Sequence, residues 1–228
     1  MSKVGLDKGS QHKLKGVSKL IAVIAKICRI FIYIAIPFII IAAIITPTVI
    51  NHTHIKNDTI VFKYGNESFE LDKVEGKVVS YYNGEKLKTT SADAKAYKLA
   101  KKTLDKYSKR ELIGYTEAAF IYVITYLVLI ILTLKHLGKL FKNISRGTTP
   151  FTLDNIEHMR RMSKYMICAI ILPMIVSILY LLVADIDFGI NFGLIDVVEI
   201  LFVLAMSFVF KYGYELQNES KTTIYDED

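Results

Sequence analysis

IFIYIAIPFIIIAAIITPTVI, residues 30–50, carries no charged side chain and decides the class of the fold. A helix rises about 1.5 Å per residue, so a stretch of this length reaches about 30 Å, the thickness of a bilayer's hydrocarbon core. Outward from it lie three more apolar runs of similar length, Leu112–Leu134, Tyr165–Ala184 and Phe188–Phe210. Tyr165–Ala184 is also free of charge. The four runs predict an all-α membrane protein with four transmembrane helices and a small extracytoplasmic α+β insertion between helices 1 and 2.

The remaining chain is divided by these runs. Residues 1–29 form a basic cytoplasmic N-terminal segment, 30–50 the first span, and 51–111 an extracytoplasmic hairpin-plus-helix module. Residues 112–134 form the second span, 135–164 a cytoplasmic amphipathic platform, and 165–184 the third span. A short outer loop and the fourth span occupy 185–210, and 211–228 is a cytoplasmic tail. No large soluble domain fits, because 51–111 is the longest piece outside the spans and chains that short fold marginally unless braced. In this setting a net charge of +7 reads as lysines facing anionic headgroups rather than nucleic acid. Cys28 and Cys168 fall near or inside apolar runs, which suits small packing residues and offers no disulfide framework. The first apolar run is too long for the core of a signal peptide, so it is expected to remain as an anchor. A chain rich in Ile, Lys and Asn and without Trp fits an AT-rich bacterial genome. The expected location is a bacterial cell membrane.

Orientation rests on basic residues, which gather on the cytoplasmic side. Their count is nearly even between the two sides. Lys26 and Arg29, beside the first run, and the acidic, lysine-free loop Asp185–Asn191 favour both termini inside. The cluster Lys101, Lys102, Lys106, Lys109 and Arg110 pulls the other way.

Within the insertion, Ile60, Phe62 and Tyr64 alternate with polar neighbours up to Gly65-Asn66, and Phe69 and Leu71 resume the alternation. Val79 and Tyr81 precede Asn83-Gly84, with Leu87 beyond it. Two-residue loops of this composition supply the positive φ of tight hairpins, so four short antiparallel strands are expected. Tyr97, Ala100, Leu104 and Tyr107 then follow a helical stripe that runs into span two, with Thr90 and Asp93 placed as its cap. His52 and His54 form a His-x-His pair without the further ligands a metal site needs, so no metal is expected.

The platform is the most patterned polar stretch. Span two should continue as helix through Leu137, Leu140, Phe141 and Ile144 and stop at Gly147. Thr148-Thr149-Pro150 turns the chain. A second helix then begins near Thr152 or Asp154, with Leu153, Ile156, Met159 and Met162 on one face. Asp154, Glu157, His158, Arg160, Arg161 and Lys164 fall towards the other. This is either an interfacial helix with arginines at headgroup level or a docking surface for a cytosolic protein. For the second reading the candidate contacts are Asp154, Glu157, Arg160 and Arg161.

Three acids lie within apolar runs, where ionisable groups are costly and often functional: Glu117, Asp196 and Glu199. Their depth admits a cation or proton site. Asp196-Val-Val-Glu199 also has capping-box spacing, which would start the last helix near Val197 and make both acids structural.

Arg146-Gly147, Pro150-Phe151, Asn155-Ile156 and Arg160-Arg161, followed by Phe210-Lys211-Tyr212-Gly213 and Glu215-Leu216-Gln217, resemble a bacterial membrane family. It is catalogued as domain of unknown function 2975. The similarity is best over the platform and spans three and four. The resemblance implies four membrane helices, both termini inside and no established activity. It also implies a genetic neighbourhood that often holds a small helix-turn-helix regulator.

Zinc-protease, intramembrane-aspartyl, serine-hydrolase and phosphate-loop motifs are all missing from the sequence, so no catalytic residue, cofactor or enzymatic activity is expected. A regulatory membrane protein that tethers or modulates a small helix-turn-helix regulator is the first functional reading. A small transporter using Asp196 and Glu199 is the alternative. The partners expected are the lipid bilayer, the regulator and further copies of the chain, with no direct nucleic-acid binding.

Overall fold

The structure, a computed structural model, describes residues 8–56, 59–74, 77–90, 94–147, 149–184 and 194–225. The elements follow as α1 (Lys8–His52), β1 (Thr53–Lys56), β2 (Thr59–Tyr64), β3 (Glu67–Val74), β4 (Lys77–Tyr82) and β5 (Glu85–Thr90). After them come α2 (Ala94–Lys106), α3 (Lys109–Arg146), α4 (Leu153–Ala184) and α5 (Leu194–Tyr225). Among the described residues, α1, α3 and α4 contain stretches long and apolar enough to cross a membrane. Their apolar side chains point outward: Phe31 is 68%, Phe38 68% and Ile44 70% exposed. Such a surface is a liability in water but suits hydrocarbon, where a helix satisfies its own backbone. Cys28 and Cys168 are exposed as well, so they are not the packing residues their chemistry suggested.

Two compact units make up the chain, residues 37–121 and residues 1–36 with 122–228. The first is built on an antiparallel meander in the order β1-β2-β3-β4-β5. The sheet has five strands where four were expected, because Thr53–Lys56 pairs with Thr59–Phe62 directly after α1. Gly65, at φ 60°, opens the β2–β3 turn, and Asn83 (48°) with Gly84 (85°) makes the β4–β5 turn. Two successive positive φ values define a type I′ turn, whose twist matches the strands. The Asn83 side-chain oxygen also accepts from the Ser68 amide at 2.7 Å. On one face Ile60, Val78, Tyr97, Leu71 and Leu104 form the core. Val78 holds this inward place. Its neighbour Val79, the residue the alternation favoured, is buried too, and successive strand residues face opposite sides.

The helix after the sheet does not run into the next one. It ends at Lys106, and α3 restarts at Lys109 behind Ser108. Ser108 and Glu111 form a reciprocal capping box: the Ser108 amide and hydroxyl each donate to Glu111 Oε2 at 2.8 Å, and the Glu111 amide donates back to Ser108 Oγ at 3.3 Å. These hydrogen bonds hold the Glu111 carboxyl below the usual range. Lys109 Nζ donates to the Asn51 carbonyl at 2.6 Å, tying the start of α3 to the end of α1. The cap expected from Thr90 and Asp93 involves residues 91–93, which lie outside the described residues. So does the loop Asp185–Asn191.

In the other unit α3 stops at Arg146, where the Gly147 amide donates to the Asn143 carbonyl at 2.8 Å. α4 starts at Leu153 with Thr152 as its cap, the Thr152 hydroxyl accepting from the Asn155 amide. Both boundaries match the sequence reading. α5 does not: it begins at Leu194, ahead of Asp196, and stays helical to Tyr225. Asp196 is therefore inside the helix rather than its cap, and the helix takes in most of the tail.

Candidate functional site

Where α3 ends and α4 begins, Leu140, Ile144, Met159 and Phe210 form a core, with Phe141, Phe151, Ile156 and Met206 against it. The turn between the helices is anchored from both sides. Asn155, 1% exposed, donates its side-chain amide to the Pro150 carbonyl at 2.8 Å. Phe151 meets the Phe210 ring edge-on at 5.5 Å and lies so close to Gly213 that a Cβ there would come within 2.7 Å of its ring. Gln217 donates to Thr149 Oγ1 at 2.8 Å. Thus Pro150, Phe151, Asn155, Phe210, Gly213 and Gln217, all from the short motifs that resembled a family, meet around one turn.

Beside this anchor lies an open recess of about 320 Å³, lined by Thr149, Phe151, Leu153, Asp154, Tyr214 and Gln217 among others. Leu153 was expected on the apolar face with Ile156, Met159 and Met162. Met159 and Met162 are buried, but Leu153 is 60% exposed at the rim. Of the four docking candidates, Asp154 lines the recess, while Glu157 and Arg161 pair with each other at 2.7 Å. That pairing lowers the Glu157 carboxyl and raises the Arg161 guanidinium relative to their ordinary values. Arg160 is exposed on the same helix.

Two histidines were not anticipated as a pair. His136, 6% exposed, faces His158 with their Nδ1 atoms 3.3 Å apart, and Tyr165 covers the His136 ring at 5.7 Å. His158 therefore turns inward rather than joining the charged face. The signal was present: His136 precedes Leu140 and Ile144 by four and eight residues, on the same helical stripe. Burial holds His136 below the ordinary histidine range, helped by the positive charges of His158, Arg161, Lys139 and Lys135. Burial does the same to His158, aided by Lys139 and Arg161 and opposed by Asp154 and Glu157.

Of the three acids of the apolar runs, Glu117 lies on α3, and Asp196 and Glu199 lie on α5. Glu117 and Glu199 are exposed and belong to different units, and Asp196 is the third residue of α5. His52, on the sheet side, stacks edge-on with Tyr64 at 5.1 Å, and its Nδ1 lies 2.8 Å from the Thr48 carbonyl. His54 sits in β1 opposite Val61. No group of three His, Cys, Asp or Glu arranged to hold a metal occurs among the described residues.

No curated protein and no solved structure matches the chain. One family profile does, over residues 83–224, from the β4–β5 turn through α2, α3, α4 and nearly all of α5, leaving α1 outside it. The platform motifs all fall in that range, and the chain belongs to the family described as protein of unknown function, DUF2975.

Proposed function

We propose that this is a four-span membrane protein, both termini cytoplasmic and residues 51–111 outside, whose platform restrains a small cytosolic helix-turn-helix regulator. α5 as the fourth crossing is supported by its outward apolar side chains, with Leu201 58%, Phe202 65% and Phe208 71% exposed. The observation that carries the docking role is the recess at the start of α4. Leu153 stands exposed at its rim, Asp154 and Gln217 supply polar contacts, and the floor is braced by Phe151 against α5. An apolar side chain beside polar groups on a braced base gives a partner both apolar surface to bury and polar groups to fix its orientation. The helix-turn-helix identity of the partner rests on the family resemblance. The reading assigns no catalysis to the chain.

Photo-crosslinkers placed at Leu153, Glu157 and Arg161 in cells, followed by mass spectrometry, test it. Recovery of one small helix-turn-helix protein, lost when Leu153→Asp is introduced, is the expected result. Capture of lipid alone in repeated trials removes the reading.

A further inference from the structure

A second concavity lies away from the recess, between the first half of α1 and the end of α3. It measures about 730 Å³ and is lined by His12, Lys15, Lys19, Lys26, Lys142 and Arg146 together with small and apolar residues. Lys15, Lys19 and Lys26 are spaced by four and seven, so they share one helix face. Lys142 and Arg146, four apart, meet them from α3. No carboxylate lines this groove among the described residues. Five cations around one cavity make a local positive potential that draws an anion.

Why the helices approach here follows from their sequence. Ser18 (1% exposed) and Ala25 (2%) are buried. A Cβ on Gly138 would already touch Ala25 at 3.7 Å and the Ala22 carbonyl at 3.9 Å. Small residues let two helices close to this distance, and the long basic side chains flank the contact and wall the groove. Its floor includes Ala22 and Val23. The neighbouring surface of α1 is apolar and outward, with Val17 55%, Leu20 59%, Ile24 49% and Ile27 46% exposed. Such a stripe belongs against lipid. The groove thus presents cations and apolar side chains together, along the stretch of α1 that leads up to the uncharged run at Ile30.

We infer that this groove binds a phosphate-bearing anion, and that the anion is the headgroup of an anionic phospholipid whose glycerol and upper acyl chain lie on Ala22 and Val23. Basic pockets between membrane helices recognise such headgroups through charge. The site is independent of the recess beside Leu153 and does not require the regulator.

Native mass spectrometry of the full-length protein in detergent, titrated with phosphatidylglycerol or phosphatidylcholine, tests this, and inorganic phosphate forms a third arm. Preferential retention of phosphatidylglycerol is expected. Lys15→Gln with Lys19→Gln and Lys142→Gln should weaken it on the order of a hundredfold, roughly fivefold per lysine. The Lys→Arg versions of the same positions should retain it, which separates lost charge from lost folding. Lys98→Gln with Lys102→Gln, on α2, should leave it unchanged. Groove-dependent binding of inorganic phosphate with equal retention of the two lipids overturns the lipid assignment and gives the site to a soluble phosphate-bearing anion. Equal retention of both lipids, or equal loss in the Gln and α2 variants, overturns the proposal.

Discussion

Gly213 and Gly138 are both helix glycines facing another segment, and their surroundings separate them. At Gly213 three Phe151 ring carbons stand 2.7–2.8 Å from where a Cβ would go, whereas at Gly138 the nearest atom is 3.7 Å away. Gly213→Ala must push the Phe151 ring out of its contact with Phe210, and overpacking of this kind costs about 1–3 kcal/mol. Gly138→Ala makes only ordinary contacts and should change the thermal midpoint in detergent little. Equal midpoints for the two variants would remove the claim that Phe151 is wedged. The histidine pair makes a pH prediction. A hydrogen bond between two imidazoles needs a lone pair on one of them, so the pair fails when both are protonated. Both pKa values are held below the ordinary histidine range, so the folded state binds fewer protons than the unfolded one as pH drops from about 6.5. Stability is full above that pH and is lost as pH falls through the depressed values. Melting followed at pH 7.5 and pH 5.5 should show this loss, and His158→Gln should shrink it.

Among the elements, the junction between α2 and α3 is the least expected from sequence, because a continuous helical stripe crosses it. Ser108 breaks the helix by offering the backbone a better partner, the local competition that makes serine a cap residue. Ser108→Ala should destabilise the start of α3 by about 1 kcal/mol. Hydrogen exchange of the amides just after Ser108 should quicken, while the β4–β5 turn stays unchanged. Unaltered exchange there would show that the Lys109 to Asn51 contact holds the junction instead. The hairpin turns and the cap at Thr152 were readable because their causes are local: positive φ at Asn83-Gly84, a hydroxyl at Thr152. Strand β1 was not, since Thr53–Lys56 has no turn signal of its own and becomes a strand by pairing with β2.

For the whole molecule, the proposed topology makes a labelling prediction. In a Cys28→Ala, Cys168→Ala background, a cysteine at Asn83 should react with an impermeant reagent in intact cells. One at Ser145 should react only after permeabilisation. The reverse pattern sinks the orientation and moves the basic groove to the outer face. The length of α1 bears on the same point. Its 45 residues extend about 68 Å, more than twice a hydrocarbon core, so much of Lys8–Arg29 continues past the bilayer's apolar centre.

Membrane residence, the helical runs, the two hairpin turns and the stop and restart around Pro150 were all determined by the sequence alone. Each depends on composition or on φ, ψ and capping within a few residues. The way the helices face one another was not. His136 meets His158 across 22 residues and Thr149 meets Gln217 across 68. Lys142 joins Lys15 and Lys19 from more than 120 residues away along the chain. In an apolar or mixed helix the local pattern leaves rotation about the axis undetermined, since lipid and protein accept the same side chains. Close approach at small residues, Gly138 on Ala25 and Gly213 against Phe151, selects the rotation, and with it which histidines are buried and which lysines line a groove.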